Sequence, residues 1–251
     1  MCGRYELHTH PAALALAFGL PIPPSIRPRY NIAPMQDVPV IRTAATGERE
    51  LAMVRWGLVP RWAKDPSIGA KMINARAETL AQKPSFRTAL RKHRCLIPAN
   101  GFYEWKVVPG GAKQPLHIGM QDGGLFAFAG LTERWLSPQG EVLDTCTIIT
   151  TQANALLSPM HDRMPAIVAP GDYDRWLDVA IPEVADILAP YPAPRMTYYP
   201  VSTRVNAVRH DDAGLIERIA VDTAPAVEAD AEAPVPAPAQ GEAPPAQSEL
   251  F

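Results

Sequence analysis

Cys2 would carry a primary amine and a thiol on adjacent carbons once Met1 is removed, as aminopeptidases do when the next side chain is small. An α-amino group titrates at about 7.7–8.0 and a free thiol near about 8.5, so both nucleophiles are partly available at neutral pH. Such a pair has a particular partner. With an aldehyde the amine forms a Schiff base, and the thiol then closes on the imine carbon to give a five-membered thiazolidine that neither group could form alone. Considered by itself, Cys2 also reads as a small buried apolar residue.

Further segments offer acid–base and charged groups. In GFYEW, residues 101–105, Glu104 sits in an aromatic, strand-like run. Side chains alternate along a strand, so if Phe102 packs inward, Glu104 is held beside apolar groups that raise its pKa toward proton-transfer duty. The competing reading is an edge-strand glutamate facing water. In SPMHDRMPAI, residues 158–167, two prolines confine His161, Asp162 and Arg163, giving either a proton carrier beside a fixed cation or a solvated loop histidine. MINARAET, residues 72–79, places Asn74, Arg76 and Glu78 at an expected helix start. RYNIAP, residues 29–34, is a polar run ending in a proline turn.

These groups need a scaffold. Strands are expected at 38–42, 51–56, 94–98, 102–107, 125–131 and 145–151, and helices at 11–18, 76–82, 85–93, 154–158, 173–177 and 183–188. The two kinds of element do not alternate in βαβ order. The expected class is therefore α+β: a single β-rich domain over residues 2–221, with a mainly antiparallel, barrel-like sheet and peripheral helices. Residues 222–246 are an acidic Ala/Pro-rich linker, expected to be disordered because so little of it can be buried. No internal repeat, GxGxxG, P-loop or HExxH interrupts this reading.

A chain of 251 residues, 47% apolar and 20% charged, suits one ordinary globular domain. No apolar run approaches the ~18 residues of a membrane span, and MCGRYELHTH lacks the apolar core of a secretory signal, so a cytoplasmic, monomeric protein without a membrane role is expected. Cys2, Cys95 and Cys146 show neither CxxC nor Cys/His spacing, so reduced thiols and no metal or other cofactor are expected. Six acidic residues and no Lys or Arg follow position 221, which leaves the body mildly basic and the tail acidic. That balance permits nucleic-acid contact without arguing for it.

Taken together, CGR at 2–4, RYNIAP, WGLVPRWAK, INARAET, GFYEW and HDRMP, with YYPVSTRVNAV as a closing strand and loop, resemble the SRAP family of SOS response-associated peptidases. The resemblance implies a single β-rich α+β domain and covalent attachment to abasic sites in single-stranded DNA. It implies Cys2 as nucleophile, Asn74 as the residue that orients the amino terminus, and Glu104 and His161 as acid–base groups. It also implies phosphate contacts from Arg4, Arg76 and Arg163, with Asn31 in the DNA-binding set. The residue chemistry agrees, since a ring-opened abasic sugar is an aldehyde.

Two other function classes stand beside this one: a cysteine peptidase with Cys2 as an N-terminal nucleophile and His161 as base, and a non-covalent single-stranded DNA-binding module. A peptidase needs an oxyanion hole and a peptide groove, whereas arginines beside the Asn74 and His161 motifs favour DNA. The module leaves Cys2 unexplained. Trp62 could stack on a base or wedge a duplex apart, while Trp56 and Trp105 read as core. After the linker, residues 247–251, QSELF, resemble the bacterial sliding-clamp-binding pentapeptide, with Gln247, Leu250 and Phe251 as its contacts on the replication clamp.

Overall fold

The computed structural model describes residues 2–220; the expected linker at 222–246 and the pentapeptide at 247–251 lie outside them. In chain order the strands are β1 (Tyr5–Leu7), β2 (Arg29–Ile32), β3 (Asp37–Thr43), β4 (Arg49–Trp56), β5 (Asn74–Arg76), β6 (Arg94–Ala99) and β7 (Gly101–Val107). They continue as β8 (Lys113–Met120), β9 (Phe126–Leu136), β10 (Val142–Gln152), β11 (Arg163–Pro165), β12 (Ile167–Val168) and β13 (Met196–Pro200). Three short α-helices accompany them: α1 (Pro11–Phe18), α2 (Arg87–Lys92) and α3 (Tyr173–Leu177).

One sheet runs β13-β8-β7-β1-β2 and is antiparallel throughout. In the other, β10, β4, β3, β6 and β9 close into a ring, because β10 pairs with both β4 and β9. The ring is mixed, since β10 meets β4, and outside the ring β5, in parallel. Apolar side chains from both sheets fill the core, where the Tyr5 ring stands 5.5 Å from Trp56 and 5.7 Å from Phe128, both edge-on. Such pairs add about 0.5–1.5 kcal/mol beyond the area they bury.

Local chemistry explains the elements that frame the site. In α1, Pro11 occupies the first turn, the His10 ring accepts from the Ala12 amide, and Gly19, at φ 63°, terminates the helix. The chain crosses from the ring into the antiparallel sheet at Asn100, whose Oδ1 accepts from the amides of His8 and Thr9 and from the Thr9 hydroxyl. That corner sets β1 beside β7. Next to it, the buried Glu6 carboxylate bridges His8 Nδ1, at 2.5 Å, and His117 Nε2, at 3.2 Å. Burial would raise the Glu6 carboxyl, but hydrogen bonds from the two histidines hold it below its ordinary value.

This bridge explains Gly101. A β-carbon there would lie 2.2 Å from His117 Nε2 and 2.9 Å from Glu6 Oε1, inside a fully packed corner. Gly101→Ala is expected to lower stability by about 1–3 kcal/mol through overpacking, read as a lower urea midpoint at unchanged slope. A midpoint equal to that of the parent protein would mean the bridge can move aside.

Four expected helices are shorter or absent: 85–93 narrows to α2, and three others change more. Residues 76–82 hold only a single 3₁₀ turn, Ala77–Thr79, because the backbone of Asn74–Arg76 is taken into a ladder with Ile148–Thr150 of β10. Residues 183–188 reduce to the 3₁₀ turn Ala185–Leu188, and residues 154–158 form turns capped by Asn154 Oδ1.

Candidate active site at the amino terminus

Cys2 leads into β1, which lies antiparallel to β7 with Tyr5 opposite Phe102. The Tyr103 amide donates to the Arg4 carbonyl at 2.9 Å and extends the pairing by one step, to Arg4 opposite Tyr103. Phe102 and Glu104 share the inward face: Phe102 is fully buried and Glu104 only 9% exposed. Burial raises the Glu104 carboxyl above its ordinary value, while the nearby amino terminus acts in the opposite sense. The Cys2 thiol is also pushed up, chiefly by burial and then by the negative charge of Glu104. Both groups are therefore biased toward their protonated forms.

Asn74 approaches Cys2 from the ring side. Its Nδ2 donates to the Cys2 carbonyl at 2.8 Å, and its Oδ1 is buried with no hydrogen-bond partner among the described residues. The expected helix start is here a strand. Alternation along β5 puts Asn74 and Arg76 on one face and the buried Ala75 on the other.

His161 stands at the entrance to β11, its amide held by the Leu157 carbonyl at 3.0 Å. Burial lowers its pKa, and the charge of the amino terminus lowers it further. The ring's Nδ1 accepts from the Arg163 amide at 2.9 Å, so in the neutral ring the proton sits on Nε2. Asn74 fixes the Cys2 backbone, and Glu104 acts on the Cys2 thiol through its charge.

Comparison with known proteins places this arrangement. The model of the family described as SOS response associated peptidase (SRAP) matches residues 1–208. The chain belongs to the SRAP family. It is 44% identical over 223 residues to the abasic site processing protein YoqW of Bacillus subtilis (strain 168), an alignment that covers 86% of this chain and 99% of that protein. It is 38% identical over 218 residues to the abasic site processing protein HMCES of Gallus gallus, covering 74% of this chain and 64% of that one. Among solved structures, a protein from Bacteroides thetaiotaomicron superposes with a TM-score of 0.77 at 27% identity, covering 87% of this chain and all of that one. One from Bordetella bronchiseptica gives 0.71 at 30% identity, covering 80% of this chain.

Within this SRAP domain, part of the expected DNA-binding set is otherwise engaged. Asn31 is completely buried: its Nδ2 donates to the carbonyls of Val205, Ala207 and His210, and its Oδ1 accepts from Arg4. Its polar atoms are all spent within the protein. Arg4 is half-buried, donates to the Val205 carbonyl and lies 5.8 Å above the Trp105 ring. Both residues fasten the 203–210 loop onto β1 and β2, which accounts for the RYNIAP motif. Arg163 is likewise committed. It pairs with both carboxylate oxygens of Glu78, at 3.0 and 3.1 Å, and donates to the hydroxyl and carbonyl of Thr150. Its side chain is only 10% exposed, and it ties β11 to β10 and to the 3₁₀ turn Ala77–Thr79.

Arg76 and Trp62 remain accessible, the latter 59% exposed, whereas Trp56 is fully buried and Trp105 half-buried with its indole N–H on Asn206 Oδ1. A cleft of about 1080 Å³ opens elsewhere, lined by Arg42, Arg61, Arg134 and their carboxylate partners Glu50, Glu133 and Asp144. None of Cys2, Asn74, Glu104 or His161 lines it.

Proposed function

We propose that this SRAP protein captures abasic sites in single-stranded DNA as a covalent adduct on Cys2 after removal of Met1. The observation that carries the reading is Asn74. It grips the Cys2 carbonyl and keeps a buried oxygen without a partner among the described residues, an acceptor suited to a free α-amine on Cys2. The relatives named as abasic site processing proteins supply the substrate class: a ring-opened abasic deoxyribose, which is an aldehyde.

The chemistry then runs in balance. The amine adds to the aldehyde carbon, the carbinolamine loses one water to give the Schiff base, and the thiol adds across the C=N bond to close the ring. The order follows from the charge states. A thiol held protonated is a poor first nucleophile, so the amine leads and Glu104 takes the thiol proton as the sulfur closes. His161, with its proton on Nε2, supplies the proton to the departing oxygen.

The peptidase reading fares worse for the same reason, because a cysteine peptidase needs a thiol activated toward thiolate, and here burial and Glu104 act the other way. Arg76 is the accessible cation beside the site, and Trp62 offers a stacking face for an unpaired base. Phosphate contacts carry no sequence information, so little sequence preference is expected.

Intact-mass measurement tests the proposal. The purified protein should lack one methionine residue, and incubation with an abasic single strand should add the oligonucleotide mass less one water. Retention of Met1, or no adduct, overturns it.

A further inference from the structure

His161 Nδ1 has two neighbours that make opposite demands on it. The Arg163 amide N–H points at it from 2.9 Å and needs a lone pair there; the Asp162 carboxylate stands 2.7 Å away and needs a proton there. One nitrogen cannot satisfy both at once. In the neutral ring Nδ1 serves the amide and Nε2 carries the proton. In the imidazolium both nitrogens carry protons, Nδ1–H is bound by the carboxylate, and the amide gives up its acceptor.

We infer that Asp162 is a positioning residue of the active site: its carboxylate receives Nδ1–H whenever His161 takes up a second proton, and so sets how readily the ring loads and returns that proton. The inference rests on the crosslinking reading above, and it assigns a role to a residue that reaches the chemistry only through His161.

Local structure supports this division of labour. The Asp162 side chain is 84% exposed and carries no packing, while its backbone carbonyl accepts from the Ala153 amide and keeps the loop in place whatever the side chain. His161 is therefore fixed by backbone, and Asp162 is left to act through charge. After burial, which lowers the His161 pKa, the charges that reach the ring are the amino terminus, which lowers it, Asp162, which raises it, and Arg163, which lowers it. Arg163 is itself neutralised by Glu78 on the neighbouring segment, so Asp162 is the counter-charge closest to the ring. Without Asp162, the ring loses the carboxylate that offsets its desolvation.

The test compares the parent protein with Asp162→Asn and Asp162→Glu in two measurements. One is the NMR titration of the His161 ring; the other is the single-turnover crosslinking rate against pH with an abasic single strand. In Asp162→Asn the His161 midpoint should fall by about half a pH unit, the size expected for an exposed partner, and the rate limb governed by His161 should move with it. Asp162→Glu should restore most of both. An unchanged or raised midpoint in Asp162→Asn, or equal effects from Asn and Glu, would overturn the assignment. If the parent protein forms no adduct while the titrations still shift as expected, the crosslinking reading fails and the Asp162–His161 coupling stands.

Discussion

Cys2→Ala should bind abasic single-stranded DNA about as well as the parent protein yet form no adduct that survives heating, at least about a hundredfold less than the parent. The substitution keeps a free amine at position 2, because alanine also permits Met1 removal, so the first half of the reaction survives. An imine to that amine hydrolyses back to aldehyde unless the thiol closes on it. A reducing agent added during the incubation should therefore rescue a stable adduct in Cys2→Ala, as a secondary amine, while the parent protein needs none. Cys2→Ser should resemble Cys2→Ala, a hydroxyl being a far poorer ring-closing partner than a thiol. Heat-stable adduct from Cys2→Ala without reductant would mean that the sulfur takes no part. Because Cys2 is wholly buried, a folding check accompanies the comparison, and losing a small apolar side chain there should cost about 1–2 kcal/mol.

The parts of this site that could be read from the sequence were those where one residue type dictates one chemistry. Cys2 and Glu104 are such cases, the first because an amine and a thiol on adjacent carbons have few other uses, the second because strand alternation ties Glu104 to the face of Phe102. Both side chains are buried, as is Tyr103 between Phe102 and Glu104, because β7 is packed on both faces there. Most of the longer strands, β3, β4, β6, β7, β9 and β10, were legible from β-branched and aromatic residues, but β8, whose KQPLHIGM holds only one β-branched residue, was not.

What could not be read were relations between distant segments. β1, β5 and β11 are three residues each, too short for a periodic signal, and they exist because longer neighbours offer them a ladder. The same blindness hides what the polar residues bond to within the protein. Asn31 and Arg4 sit in motifs that look like nucleic-acid contacts, but their partners are carbonyls near residue 205, a separation of 174 residues or more. Arg163 meets Glu78 across 85 residues, so a cation that reads as available is already neutralised. A motif reports which residues act together; whether they act on a ligand or on each other is decided by the fold.

Glu104→Gln should separate function from stability more sharply than any other change. As the base for the thiol proton, Glu104 must be ionised, so the parent crosslinking rate should rise with pH through a limb set above the ordinary carboxylate value, where burial holds it. Glutamine removes that limb and should lower the single-turnover rate about 10²- to 10⁴-fold, with affinity and its salt dependence unchanged. Arg76→Ala should do the converse, weakening binding and flattening the salt dependence while leaving the bound-state rate nearly intact.

The sign of the stability effect is opposite to that of most core substitutions. A carboxyl whose folded-state pKa lies above its unfolded value favours the folded state below the unfolded value, and that advantage is lost as pH rises through the folded value. At pH 7 the parent therefore bears the cost of an ionised, buried Glu104, and Glu104→Gln should match or exceed it in urea midpoint. Below about pH 4 the gain should vanish, because both states then hold the proton. Substantial destabilisation at pH 7, or an affinity loss confined to this variant, would show that Glu104 holds the fold or the DNA and not the proton.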